Sequence, residues 1–135
     1  MSTGLHFLIV EDDFFAREIV QGILGEHGIC HIASDGKEAL EACRRSYEED
    51  RPYDLICMDI MMSGMNGFEA AASIRRLEKE RGVVFSERVK IMMISALEDP
   101  INVMKALSES EADSYIIKPI ERDKLLEEVS KLGLI

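Results

Sequence analysis

The sequence is short of positive charge. Sixteen lysines and arginines stand against 26 aspartates and glutamates, a formal net charge of -10. Such a surface repels phosphate backbones, so direct binding of nucleic acid is not expected. Long apolar runs are missing as well. No stretch approaches the length needed to cross a bilayer, and the start of the chain has no charged segment leading into an apolar one, so no membrane association is expected. The cysteines are few and poorly spaced for chemistry. Cys30, Cys43 and Cys57 are odd in number and form no CxxC or Cys/His ligand pattern, which reads as reduced packing residues of a cytoplasmic protein. With no internal repeat, low-complexity segment or linker, the 135 residues are expected to form a single domain over 1–135.

What is present alternates. Leu5 to Val10 (LHFLIV) is a nearly continuous apolar run, the mark of a strand covered on both faces. Asp13 precedes a helix with Ala16, Ile19, Val20, Ile23 and Leu24 on one side, and Gly25 and Gly28 supply its stop. A second strand covers Ile29 to Ala33, and Ser34, Asp35 and Gly36 turn into a helix carrying Leu40, Cys43 and Tyr47 to about Asp50. Pro52 breaks the chain before a strand over Tyr53 to Met58. Gly67 opens a helix with Phe68, Ala71, Ile74 and Leu77, expected to fray in the charged stretch RRLEKERG. After a loop over 82–88 come a strand from Val89 to Ser95 and a helix capped by Asp99, with Pro100 at its first position, running to about Ser110. A strand over Ser114 to Ile117 and a helix from near Glu121, striped by Leu125, Leu126, Val129 and Leu132, complete the pattern. Five strands and five helices in strict alternation predict a parallel α/β sheet with helices on both faces.

In such sheets the ligand site lies beyond the carboxyl ends of the strands. The first strand ends in Glu11, Asp12 and Asp13, the third in Asp59, the fourth in Ser95, and the fifth in Lys118 followed by Pro119. Each alone has a plain structural reading: a helix cap, a turn serine, a loop lysine. Together, one at each strand end, they are hard to explain as structure. Crowded carboxylates repel one another unless a cation neutralises them, and a hard ion with oxygen ligands such as Mg²⁺ does so. Lys118 offers a point charge for a phosphoryl oxygen and Ser95 a hydroxyl donor. The set is that of a carboxylate nucleophile, a metal and a cation around a transferring phosphoryl group, with Asp59 as the nucleophile.

From LHFLIVEDD through MDIMMSGMNG and IMMISA to SYIIKPI, the chain resembles the receiver domain of two-component response regulators, of the chemotaxis kind included. The resemblance covers essentially the whole chain. It implies a flavodoxin-like, doubly wound, five-stranded sheet in the order 2-1-3-4-5 with five helices, acting in phosphorelay signal transduction. It implies Asp59 as phosphoacceptor, with a histidine kinase or phosphotransfer protein as donor. Mg²⁺ would be bound by Asp12 and Asp59, by Glu11 through water, and by the backbone carbonyl of Met61. Ser95 would be the switch hydroxyl, Ala96 a backbone N–H donor to the phosphoryl group, Lys118 its ion partner, and Tyr115 the aromatic that turns inward. Catalysis would extend only to the domain's own phosphorylation and dephosphorylation. The bulky pair Met61 and Leu97, two residues after Asp59 and Ser95, suggests slow loss of the phosphoryl group.

The chain departs from the family pattern at Ser63, Asn66 and Glu111, which stand where proline, aspartate and glycine are usual. With nothing after Ile135, no output domain is expected, and output would be contact with an unidentified target protein, as a monomer or a phosphorylation-dependent dimer. The alternative is a phosphorelay shuttle or a receiver segment of a hybrid histidine kinase. A haloacid dehalogenase type of phosphatase fits poorly, since Met61 replaces the second aspartate of its DxD.

Overall fold

A computed structural model describes residues 4–96 and 99–135. The strands are β1 (Leu5–Val10), β2 (Gly28–Ala33), β3 (Leu55–Asp59), β4 (Lys90–Ser95) and β5 (Ser114–Ile117). They alternate with α1 (Phe14–Leu24), α2 (Gly36–Glu48), α3 (Gly67–Glu80), α4 (Pro100–Ser108) and α5 (Arg122–Lys131). All strand pairs are parallel, in the order β2-β1-β3-β4-β5.

Alternation along each strand divides the core in two. Leu8, Val10, Ile56, Met58, Ile91 and Met93 face α2, α3 and α4, where Cys43, Phe68, Ile74 and Ala106 close over them. Phe7, Ile9, Leu55, Cys57, Met92 and Ile94 face α1 and α5, covered by Val20, Ile23, Leu24, Leu125 and Val129. β3 is buried at all five positions, whereas β2 is an edge strand with Ile29 49% and Ile32 38% exposed. The second strand is therefore only partly covered, as is the other edge strand, β5, where Ile117 is 40% exposed. Cys43 and Cys57 are buried and Cys30 half-buried, all three reduced.

Two expectations are corrected. Ile19 does not join the core: it is 49% exposed, beside Phe14 at 55% and Phe15 at 75%, because α1 turns only Val20, Ile23 and Leu24 inward. Nor does α3 fray in RRLEKERG. It continues to Glu80 because Arg75 and Glu78, three residues apart, lie buried as an ion pair at 2.9 Å. Smaller shifts move strand starts to Gly28, Leu55 and Lys90 and helix ends to Glu48 and Ser108. A short 3₁₀ turn, Phe85–Glu87, occupies the loop before β4.

The β3–α3 turn packs its backbone tightly. A Cβ on Gly67 would lie 2.4 Å from the carbonyl oxygen of Asp59 and 2.7 Å from Cα of Ile60. Gly67→Ala is thus expected to cost about 1–3 kcal/mol by overpacking, read as a lower urea midpoint, because backbone cannot yield as a side chain would. An unchanged midpoint would show that this turn is slack.

Candidate functional site

Each candidate side chain is delivered by a strand end. β1 carries Glu11 over the sheet edge, where its backbone N–H bonds the carbonyl of Ala33 at 3.1 Å. Asp12 follows, exposed, and Asp13 caps α1, its carboxylate accepting from Ala16 N–H at 3.2 Å. Asp59 ends β3, registered against Ile94 and only 5% exposed. Gly67 N–H bonds the carbonyl of Ile60 at 2.9 Å, and Asn66 caps α3 in a reciprocal capping box with Glu69. The loop after Asp59 is therefore pinned at its far end.

These placements bring Glu11, Asp12 and Asp59 together, with one carboxylate oxygen of each within 4.8 Å of the others. Lys118 Nζ lies 2.9 Å from Glu11 Oε1 and 3.7 Å from Asp59 Oδ1. Burial, then the hydrogen bond and charge of Glu11, push the Asp59 carboxyl up to about 7, against the pull of Lys118 and of Met61 N–H, which is 3.4 Å from Oδ1. Burial also works against the Lys118 charge, but the hydrogen bond to Glu11 and the charges of Asp59 and Glu11 prevail and hold its pKa above the ordinary value. A carboxylate so poised is short of positive charge.

Ser95 is fully buried at the end of β4, where its carbonyl accepts from Lys118 N–H at 2.8 Å. Its side chain shares a hydrogen bond with Tyr115, one position along β5 from the strand's start; burial raises the Tyr115 hydroxyl and this bond opposes it. Ala96 follows, exposed. Met61 is 64% exposed beside Asp59, while Leu97 lies outside the described residues.

Three features escaped the sequence. Arg17 reaches back from α1 to the carbonyl of Glu11 at 3.4 Å. A crevice of about 540 Å³ opens beside Asp12, lined by Met61, Asn66, Phe68, Asn102 and Lys105, with the Lys105 ammonium 4.8 Å above the Phe68 ring. The Asn66 cap was visible in principle, since N-x-x-E before an apolar run is a helix-start signature.

The donor set fits a hard divalent ion: three oxygen ligands from two strand ends, one held unusually ready to take up positive charge. Among the described residues no helix is long and apolar enough to cross a membrane.

Comparison with known proteins agrees with this geometry. The family model of the response regulator receiver domain matches residues 7–130. Chemotaxis protein CheY of Listeria monocytogenes is 30% identical over 127 residues, 94% of this chain and 97% of that protein. Probable histidine kinase 2 of Oryza sativa subsp. indica is 32% identical over 136 residues, 93% of this chain, and the chain spans only 12% of that protein's length. Among solved structures, the CheX-CheY-BeF3-Mg²⁺ complex from Borrelia burgdorferi superposes with a TM-score of 0.81 at 27% identity, covering 97% of this chain and 90% of that one.

Proposed function

Because the chain belongs to the response regulator receiver domain family, we propose that Asp59 takes a phosphoryl group from the phosphohistidine of a histidine kinase or phosphotransfer protein. The observation that carries this reading is the meeting of Glu11, Asp12 and Asp59 within 4.8 Å, with Lys118 3.7 Å from Asp59. Mg²⁺ would be held by Asp12, Asp59 and the Met61 carbonyl, with Glu11 behind a water. When bound, the ion supplies positive charge that keeps Asp59 ionised and shields the phosphoryl oxygens.

The Asp59 carboxylate attacks phosphorus, the bond from phosphorus to the donor's imidazole nitrogen breaks, and the electron pair leaves with that nitrogen. Lys118 shifts from Glu11 towards the new phosphoryl oxygens, and the Ser95 hydroxyl and Ala96 N–H bond others. Ser95 thereby leaves Tyr115, and the ring turns inward. The face so altered carries Ile101, Met104, Leu107 and Ile117, all exposed, which suits a protein target or a second copy. The chain acts on no substrate but its own phosphoryl group, and its setting is the cytoplasm.

The experiment is mass spectrometry after incubation with acetyl phosphate and Mg²⁺. Wild type is expected to gain one phosphoryl mass and Asp59→Ala none; an equal gain in both would overturn the assignment.

The donor's footing follows from continuity with the site. Phe14, Phe15 and Ile19 form an exposed apolar patch that starts one residue after Asp13, on the side of the site away from α4. Phe15→Ser is expected to slow transfer from the protein donor at least tenfold, about 1.4 kcal/mol or more, while acetyl phosphate reacts as before. Equal slowing with both donors would place Phe15 in the fold rather than in docking.

A further inference from the structure

Two departures from the receiver pattern come to one spot. Ser63, where proline is usual, and Asn66, where aspartate is usual, both line the crevice of about 540 Å³ that opens beside Asp12. Lys105 of α4 lines it too. Its ammonium lies 4.8 Å from the centroid of the buried Phe68 ring, and that contact steadies a cation on a long, flexible stem. Met61, two residues after Asp59 and 64% exposed, adds apolar lining.

The exchange at position 66 changes charge and not fold. Asn66 Oδ1 accepts the Glu69 N–H at 2.9 Å, a cap that aspartate makes equally well, so capping does not account for the amide. Its consequence is electrostatic. Asp12 is left as the one carboxylate among the described lining residues, Lys105 balances it, and the Asn66 NH₂ is able to donate. Phosphoryl transfer from an acyl phosphate releases an anion at this place. As an Asp59 carboxylate oxygen forms its bond to phosphorus, the bond from phosphorus to the acyl oxygen breaks, and the electron pair leaves on that oxygen as a free carboxylate. Charge and atoms balance with no proton transferred. A carboxylate parting beside Glu11, Asp12 and Asp59 meets like charge, and an ammonium in the adjoining crevice offsets that repulsion.

We infer that this crevice is the leaving-group subsite for acyl phosphate donors, with Lys105 and the Asn66 amide receiving the departing carboxylate and Met61 beside the acyl carbons. The inference rests on Asp59 being the phosphoacceptor. Lys105 is then a specificity-determining residue. It favours donors whose leaving group is an anion over donors whose leaving group is neutral, because its charge is worth most as the negative charge develops on the parting oxygen.

The test compares acetyl phosphate with phosphoramidate, whose leaving group is neutral ammonia, on the whole chain in saturating Mg²⁺. Early phosphorylation rates are read from intact-protein mass. Lys105→Met is expected to lower the ratio of the acetyl phosphate rate to the phosphoramidate rate by about threefold or more, while Lys105→Arg keeps it within about twofold of wild type. Asn66→Asp, which keeps the helix cap and restores a carboxylate to the crevice, is expected to lower the ratio in the same direction. A ratio unmoved in Lys105→Met, whether both rates fall together or neither falls, would overturn the subsite. A wild type that takes a phosphoryl group from neither donor would fail the Asp59 reading itself, and this inference with it.

Discussion

Asp59→Asn is expected to make the metal-free protein more stable than wild type by a few kcal/mol at pH 8, although it removes the phosphoacceptor. The Asp59 carboxyl titrates at about 7 in the folded chain against 3.8 for the free group. Its folded pKa is raised, so the folded state holds the proton more tightly than the unfolded state does. Stability therefore falls as pH rises from about 4 to about 7 and levels off above that. Each unit of difference is worth about 1.4 kcal/mol, and at pH 5 only about a third of the penalty has developed. Asparagine keeps the shape and sheds the charge, and Lys118 retains Glu11 at 2.9 Å. Urea unfolding in chelator at pH 8 and pH 5 reads the effect. The gain should shrink at pH 5, and saturating Mg²⁺ should narrow it at pH 8 by stabilising wild type alone. A variant less stable than wild type at pH 8 would contradict the electrostatic reading of the site.

Arg75→Ala is expected to cost about 3–5 kcal/mol, the loss typical when one partner of a buried ion pair is removed. Arg75 uses its whole guanidinium fork. Nη1 donates to Glu78 at 2.9 Å and to the Val89 carbonyl at 2.8 Å, Nη2 to Asp113 and to the Glu111 carbonyl at 2.9 Å each, and Nε to the same Glu111 carbonyl at 3.1 Å. Glu78 in turn accepts Val89 N–H at 2.8 Å, and Asp113 accepts Ile91 N–H at 2.9 Å. One side chain thus ties α3 to the start of β4 and to the turn before β5. Removing it leaves Glu78, with 1% of its side chain exposed, charged and unpaired. Lysine keeps the charge but not the planar five-donor fork, so Arg75→Lys should recover less than half of the loss. Equilibrium urea unfolding of the three proteins decides it. Arg75→Ala within about 1 kcal/mol of wild type would mean that water replaces the network.

The network also marks where reading the sequence stops short. The meeting of Glu11, Asp12, Asp59 and Lys118 was legible because each group sits at the end of an apolar run, and parallel topology brings those ends to one edge. Arg75 and Glu78 were not legible as core, since charge in a helix reads as solvated surface. Their spacing carried a signal all the same. Phe68, Ala71, Arg75 and Glu78 recur at three and four residues, so both charges fall on the buried stripe of α3. Ile19 erred the other way: an apolar residue at helical spacing was assigned inward, and only the position of α1 on the sheet shows that it remains exposed. His6, His31 and Tyr53 form a hydrogen-bonded cluster although far apart in sequence, and the β1–β2 register with the loop before β3 brings them together. Glu111 takes a positive φ of 52° where glycine is usual, held by Arg88 at 2.6 Å and by Arg75 on its carbonyl.

The claim that Asp59 is the phosphoacceptor is tested most directly by trapping. Protein treated with acetyl phosphate and Mg²⁺ is reduced with borohydride, which converts an aspartyl phosphate to homoserine, and then digested and sequenced by mass spectrometry. Homoserine at position 59, and at no other aspartate, is the predicted result. Homoserine at position 12 with position 59 intact would contradict it.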